Sequence, residues 1–133
     1  MRKKEEKSCI LHPRGQLNLF AYEDYFSFFI NLHKKNKVPK ILLFNGPKGL
    51  GKSTFVYHLV NYFLSQNEER PYDLENFTID SENKSYKLLC SNTHPNGIFI
   101  ENVANEKNIK ISQIRNLLSF INKSAYSKAI KIV

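Results

Sequence analysis

The sequence predicts an α/β fold built on a mostly parallel sheet, and three observations predict it. The apolar run "KILLF" (40–44) leads straight into a glycine-rich turn and then into an amphipathic helix. Short strand candidates and helix candidates go on alternating along the chain. The last residues, "KAIKIV", read as the opening of another buried strand, so the sheet is expected to be incomplete at the C-terminus.

Taken in order, residues 1–15 read as a flexible arm ending in "HPRG", and residues 16–133 as one domain portion. From Tyr22 to about Lys35 the residues Tyr22, Tyr25, Phe26, Phe29 and Ile30 recur at helical spacing. "HKKNK" closes that helix and Pro39 marks its boundary. "KILLF", nearly all apolar, has the pattern of a strand buried on both faces of a parallel sheet. Beyond the glycines, Phe55, Val56, Leu59, Val60 and Phe63 make one face of a helix reaching about Gln66. The polar, acidic stretch 67–83 reads as a loop. "SYKLLC" and "GIFIE" are two short strand candidates separated by the turn "SNTHPN". Ile111, Ile114, Leu117, Leu118 and Ile121 describe a further amphipathic helix, for which Ser112 is the expected cap.

Composition bounds the function classes. The chain has 133 residues, 41% of them hydrophobic and 13% aromatic, which suits one modest folded domain. No apolar run approaches the roughly 20 residues of a membrane helix, so no membrane association is expected. The charged opening "MRKKEEKSCILHPRG" is no secretory signal. Two distant cysteines, Cys9 and Cys90, make no disulfide framework, which points to a reducing cytoplasm. A net charge of +8 suits a polyanionic partner, yet the lysines are scattered and no run alternates basic with aromatic residues.

Residues Gly46-Pro47-Lys48-Gly49-Leu50-Gly51-Lys52-Ser53 fit G-x-x-x-x-G-K-[ST], the phosphate-binding loop of P-loop NTPases. The physical reason is local. A helix N-terminus offers unpaired N–H groups and a positive dipole end to a cluster of negative charge. Gly46, Gly49 and Gly51 let the backbone curl so that successive N–H groups point inward. Lys52 is expected on the β- and γ-phosphates of ATP, the Ser53 hydroxyl on Mg²⁺ and Thr54 near the α-phosphate. Pro47 stiffens the turn without needing an N–H.

Hydrolysis also needs an acid at the end of an apolar strand. "GIFIE" ends in Glu101 but lacks an Asp-Glu pair, so the better expectation is the strand opened by "AIKIV", with its acids beyond Val133. No catalytic residue is therefore assigned within the chain. Cys90 and His94 stand four apart, too few ligands for a structural zinc site. His33 and His58 read as ordinary helical side chains, and no nucleophilic triad is evident.

These motifs, in this order, resemble the N-terminal ATPase domain of bacterial clamp-loader subunits of the AAA+ superfamily, and within them the delta-prime family of DNA polymerase III. "HPRGQLNLFAYEDYFSFFINLHKKNKVPKILLFNGPKGLGKST" is similar to the family's arm, first helix, strand and loop. "SNTHPNGIFIE" resembles its "HPD" turn with the strand that follows, and "IKISQIRNLLSFI" the helix before its acidic strand. "HPRGQLNLF" is closer to delta-prime than to the motor subunit's "YRP" opening. Ala21 stands where the family often has glycine, Asn96 replaces the aspartate of "HPD", and the four-cysteine zinc module of many relatives is not here.

The resemblance implies a three-layer P-loop NTPase fold of AAA+ type. It implies an ATP-binding subunit that helps load the sliding clamp on primed DNA, with the motor subunits, delta, the clamp and primer-template DNA as partners. It also implies that the segment around Leu19 and Phe20 lies near the adenine. Two other functions fit an intact loop. One is a small P-loop kinase, though Arg2, Arg14, Arg70 and Arg115 form no recognisable lid. The other is a stator that binds ATP without turnover.

Overall fold

In the computed structural model, residues 12–102, 106–126 and 130–133 are described. Among the described residues, a 3-10 turn at Pro13–Gly15 is followed by four helices: α1 (Glu23–Lys34), α2 (Lys52–Leu64), α3 (Lys84–Cys90) and α4 (Ile111–Asn122). Helix α1 follows its apolar spacing, with Phe26 and Ile30 buried, Glu23 and Asp24 in its first turn and His33 and Lys34 in its last. That charge order complements the helix dipole. Asn36, at φ 53°, takes the left-handed turn after its end.

Helix α2 is the centre of the molecule. Its first residue is Lys52, so the glycine loop opens the helix directly. The sequence pattern gave it one apolar face, but it is buried nearly all round, Tyr57, His58, Asn61 and Tyr62 included. Phe26 from α1 meets the rings of Phe55 and Tyr62 edge-on, with centroids 5.9 Å apart in each case, and stacks on Tyr72 at 5.0 Å. Leu19, Leu59 and Ile79 complete this aromatic-rich core. The two buried polar residues on α2, His58 and Asn61, are satisfied. Asn61 Nδ2 donates to Asn83 Oδ1 (2.9 Å), and His58 lies between the Tyr72 hydroxyl and the Gln16 carbonyl, each at 2.8 Å.

The expected three-layer α/β sheet is not formed. Among the described residues there is no β-strand, only isolated bridges: Asn18 with Thr78 and Asp73 with Thr78, antiparallel, and Gly97 with Ile132, parallel. Residues 41–47 run without a ladder partner. Phe44 packs on Phe29 and Phe55 (centroids 5.8 and 5.6 Å), while Ile41 and Leu43 are 88% and 92% exposed. "KILLF" is thus covered on one face, not two. The physical reason is that an apolar run specifies burial, whereas a strand also needs N–H and C=O partners from a distant segment. "GIFIE" and "AIKIV" meet only at the Gly97–Ile132 bridge, where the Ile98 N–H donates to the Ile132 carbonyl (3.1 Å).

Three local expectations are also corrected. "SYKLLC" lies in helix α3, because Asn83 caps it: its Oδ1 accepts the Tyr86 N–H at 2.7 Å. A short apolar run fits helix or strand equally, and the cap decides. Helix α4 is capped at Lys110, not Ser112, through Gln113, whose Oε1 accepts the Lys110 N–H at 2.9 Å. Cys90 is disulfide-bonded, against the expectation drawn from the cysteine count, and Cys9 lies outside the described residues.

Candidate nucleotide-binding site

The glycine loop lies on the surface between the Asn45 position and α2, with residues 45–51 all exposed. Gly46 and Pro47 continue the preceding segment, Lys48 and Gly49 turn, and Leu50 and Gly51 bend into the helix. Gly49 and Gly51 have φ of 89° and 77°, values a side chain resists. Gly51 is the N-cap of α2 and offers no side-chain cap, so the helix's first N–H groups stay open to a ligand. A Cβ on Gly49 would meet nothing within 4 Å, so that side of the turn is open space.

Lys52 turns back into the loop. Its Nζ donates to the carbonyls of Gly46 (2.7 Å) and Pro47 (2.6 Å), and no carboxylate pairs with it among the described residues. An ammonium held only by neutral carbonyls favours an anion nearby. Ser53 is exposed on the first turn of α2 and Thr54 half-buried beside it. The donor set therefore fits a polyphosphate with a hydroxyl-ligated Mg²⁺: a lone cation, open helix N–H groups and a free hydroxyl at one turn.

Leu19 and Phe20 part company. Leu19 is buried in the core, its N–H donating to the Phe77 carbonyl (3.0 Å), while Phe20 is 76% exposed. The residue that does reach the loop is Tyr22, which sequence reasoning placed only on a helix face. Its hydroxyl donates to the Leu50 carbonyl and its ring meets Phe55 edge-on at 5.7 Å.

Glu101 is engaged elsewhere. Arg14 donates to its carboxylate at 2.9 Å, His12 lies at 3.6 Å, and the Tyr57 hydroxyl donates to it. Burial, then the bond to Glu101, pushes the Tyr57 phenol well above its ordinary range. The Arg14 guanidinium lies over the rings of Tyr57 (5.6 Å) and Phe99 (5.5 Å) and also reaches Asn92 Oδ1 (2.6 Å). This cluster binds the end of the arm to α2 and to residues 97–101. The "HPRG" signal was legible; its partner was not, since 87 positions separate Arg14 from Glu101.

A serine, a histidine and a glutamate also meet, at Ser85, His94 and Glu68. Ser85 Oγ donates to Glu68 (2.5 Å), and His94 Nδ1 accepts the Asn96 N–H (3.0 Å). The proton on His94 is thus on Nε2 and points to Ser85 (3.0 Å). A general base needs the reverse direction, so the trio ties the "THPN" turn to the loop before α3.

A family model described as "DNA polymerase III, delta subunit" matches residues 22–133. Over 91 residues the chain is 32% identical to the DNA polymerase III subunit delta-prime of Pseudomonas aeruginosa, covering 68% of this chain and 26% of that protein. The chain thus spans about a quarter of the length of that relative. No solved structure matches the chain. With the match running from the residue that touches the glycine loop to the last residue of the chain, the chain belongs to the DNA polymerase III delta-subunit family.

Proposed function

We propose that the chain supplies the nucleotide-binding part of a delta-prime subunit of the replicative clamp loader. In this reading Gly46–Thr54 cradle the triphosphate of ATP, Lys52 takes the β- and γ-phosphates, and the Ser53 hydroxyl ligates Mg²⁺. The subunit acts in the cytoplasm with the motor subunits and delta, and contributes to placing the sliding clamp on primer-template DNA. The observation that carries the reading is the Lys52 ammonium resting on the Gly46 and Pro47 carbonyls at the open start of α2, in a chain of this family. Bound ATP would supply negative charge to the open N–H groups and to Lys52.

Glu101 is occupied by Arg14, His12 and Tyr57, so its carboxylate is not free to hold Mg²⁺ or position water. Hydrolysis in this reading therefore calls for an acid other than Glu101, and a stator and a hydrolysing subunit both fit it. The test is titration of a fluorescent ATP analogue with Mg²⁺ into the wild type and Lys52→Ala. Saturable binding that the substitution abolishes, at unchanged thermal midpoint, supports the reading. Equal affinity in the two proteins overturns it.

A further inference from the structure

The peptide between Leu50 and Gly51 sits in the one stretch of the loop where local sterics decide little. Leu50 is flanked by Gly49 and Gly51, at φ 89° and 77°, and glycine crosses between backbone wells with little resistance. A peptide unit between such neighbours can rotate as a plane. Something outside the loop has to hold it.

Tyr22 is the residue in contact with it. It stands immediately before α1, its hydroxyl donates to the Leu50 carbonyl, and its ring edge rests on Phe55 from the first turns of α2. Tyr22 Cε2 also lies 3.8 Å from where a Cβ on Gly51 would be, so the phenol covers this peptide closely. In a trans peptide the C=O and N–H point in opposite directions. With the Leu50 oxygen turned toward Tyr22, the Gly51 N–H is turned away from it, and it has no acceptor among the described residues.

We propose that Tyr22 is a positioning residue of the phosphate loop: its hydroxyl holds the Leu50–Gly51 peptide in the orientation that presents the Gly51 N–H to an anionic polyphosphate. The inference rests on the reading of Gly46–Thr54 as a nucleotide cradle and deepens it. Pre-orienting a donor removes the cost of ordering it when the ligand arrives. The coupling also runs outward, because Tyr22 precedes α1 and follows Ala21 in the left-handed region, so the geometry of the α1 start reaches the loop.

The test uses Tyr22→Phe in the full chain, which keeps the ring on Phe55 and removes only the hydroxyl. Without any nucleotide, the Gly49 and Gly51 amide resonances should broaden or double in the variant, as the freed peptide exchanges between two orientations. Titrated with inorganic tripolyphosphate and Mg²⁺, the variant should bind about fivefold to tenfold more weakly, the effect of losing one hydrogen bond. Its thermal midpoint should match the wild type within a degree or two, which a merely structural role would not allow. Unchanged glycine resonances overturn the inference, and so does altered exchange with unchanged tripolyphosphate affinity. If the wild type binds neither tripolyphosphate nor ATP, the cradle reading fails, and with it the polyphosphate role of Tyr22. The glycine resonances alone then report whether Tyr22 holds the peptide.

Discussion

Arg14 reaches Glu101 across 2.9 Å, and its guanidinium lies against the aromatic rings of Tyr57 and Phe99 while doing so. The arginine side chain is 12% exposed and the glutamate 41%, so the pair is neither a free surface contact nor a fully buried one. Arg14 Nε is buried without a hydrogen-bond partner among the described residues, consistent with a group held by stacking as well as charge.

Truncating Arg14 should therefore cost more than neutralising its partner. Arg14→Ala removes the ion pair, the Asn92 bond and the ring stacking, and is expected to destabilise by about 2–3 kcal/mol. Glu101→Gln keeps acceptor oxygen and shape and should cost about 1 kcal/mol. Urea unfolding of both variants and the double mutant measures the coupling. Strict additivity would show that the pair does not act as a unit.

His58 gives the chain a pH dependence. Burial lowers its pKa from 6.5 to about 4, partly offset by the bond to the Gln16 carbonyl. Between those values the unfolded chain binds a proton that the folded chain does not. Stability from this group is thus complete above pH 6.5, falls as pH drops toward 4, and changes no further below. The loss is expected to total about 3 kcal/mol. Burial lowers His94 in the same direction. Urea midpoints at pH 7.5 and pH 4.5 should differ accordingly, with a shallower difference in His58→Gln.

Asn96 explains one departure from the family's pattern. Its Nδ2 donates to the Tyr126 carbonyl at 2.9 Å and its Oδ1 accepts the Tyr126 N–H at 2.8 Å. An aspartate can serve the second bond but not the first. Asn96→Asp should cost about 1–3 kcal/mol at pH 7, because a buried carboxylate then faces a carbonyl oxygen. Relative to wild type, the penalty should shrink at pH 4, where a protonated acid can donate. Denaturation at both pH values checks this.

Ala21 stands at another departure, and its backbone shows why glycine suits that position. At φ 64° it occupies the left-handed region just before α1, where a Cβ costs about 1–2 kcal/mol. Glycine removes that strain but loses about 0.5–1 kcal/mol of backbone entropy on folding. Ala21→Gly should therefore stabilise by roughly 0.5 kcal/mol, visible as a higher urea midpoint at unchanged slope. A lower midpoint would show that the left-handed backbone is not retained.

What could be read from the residues follows the range of the forces. The helices at Glu23–Lys34, Lys52–Leu64 and Ile111–Asn122 and the glycine loop that opens the second were legible. Helical bonds run from each residue to one four positions away, and the conformations of Gly49 and Gly51 belong to their own backbone. The family was legible too, because it is carried by the order of such local motifs. The apolar runs at 40–44, 97–101 and 130–133 were not decidable this way: a strand is completed by a partner elsewhere, and these segments meet only at Gly97 and Ile132. Tertiary structure alone also chose the partners of the polar groups. It put Tyr22 on the Leu50 carbonyl, Glu101 on Arg14 and His58 between Tyr72 and Gln16. Each bond spans 14 or more positions of chain. The sequence by itself determined where the glycine loop sits, at the opening of α2. The packing around α2 decided which side chains hold that place in shape, because burial forces every polar group to find its partner in space and not along the chain.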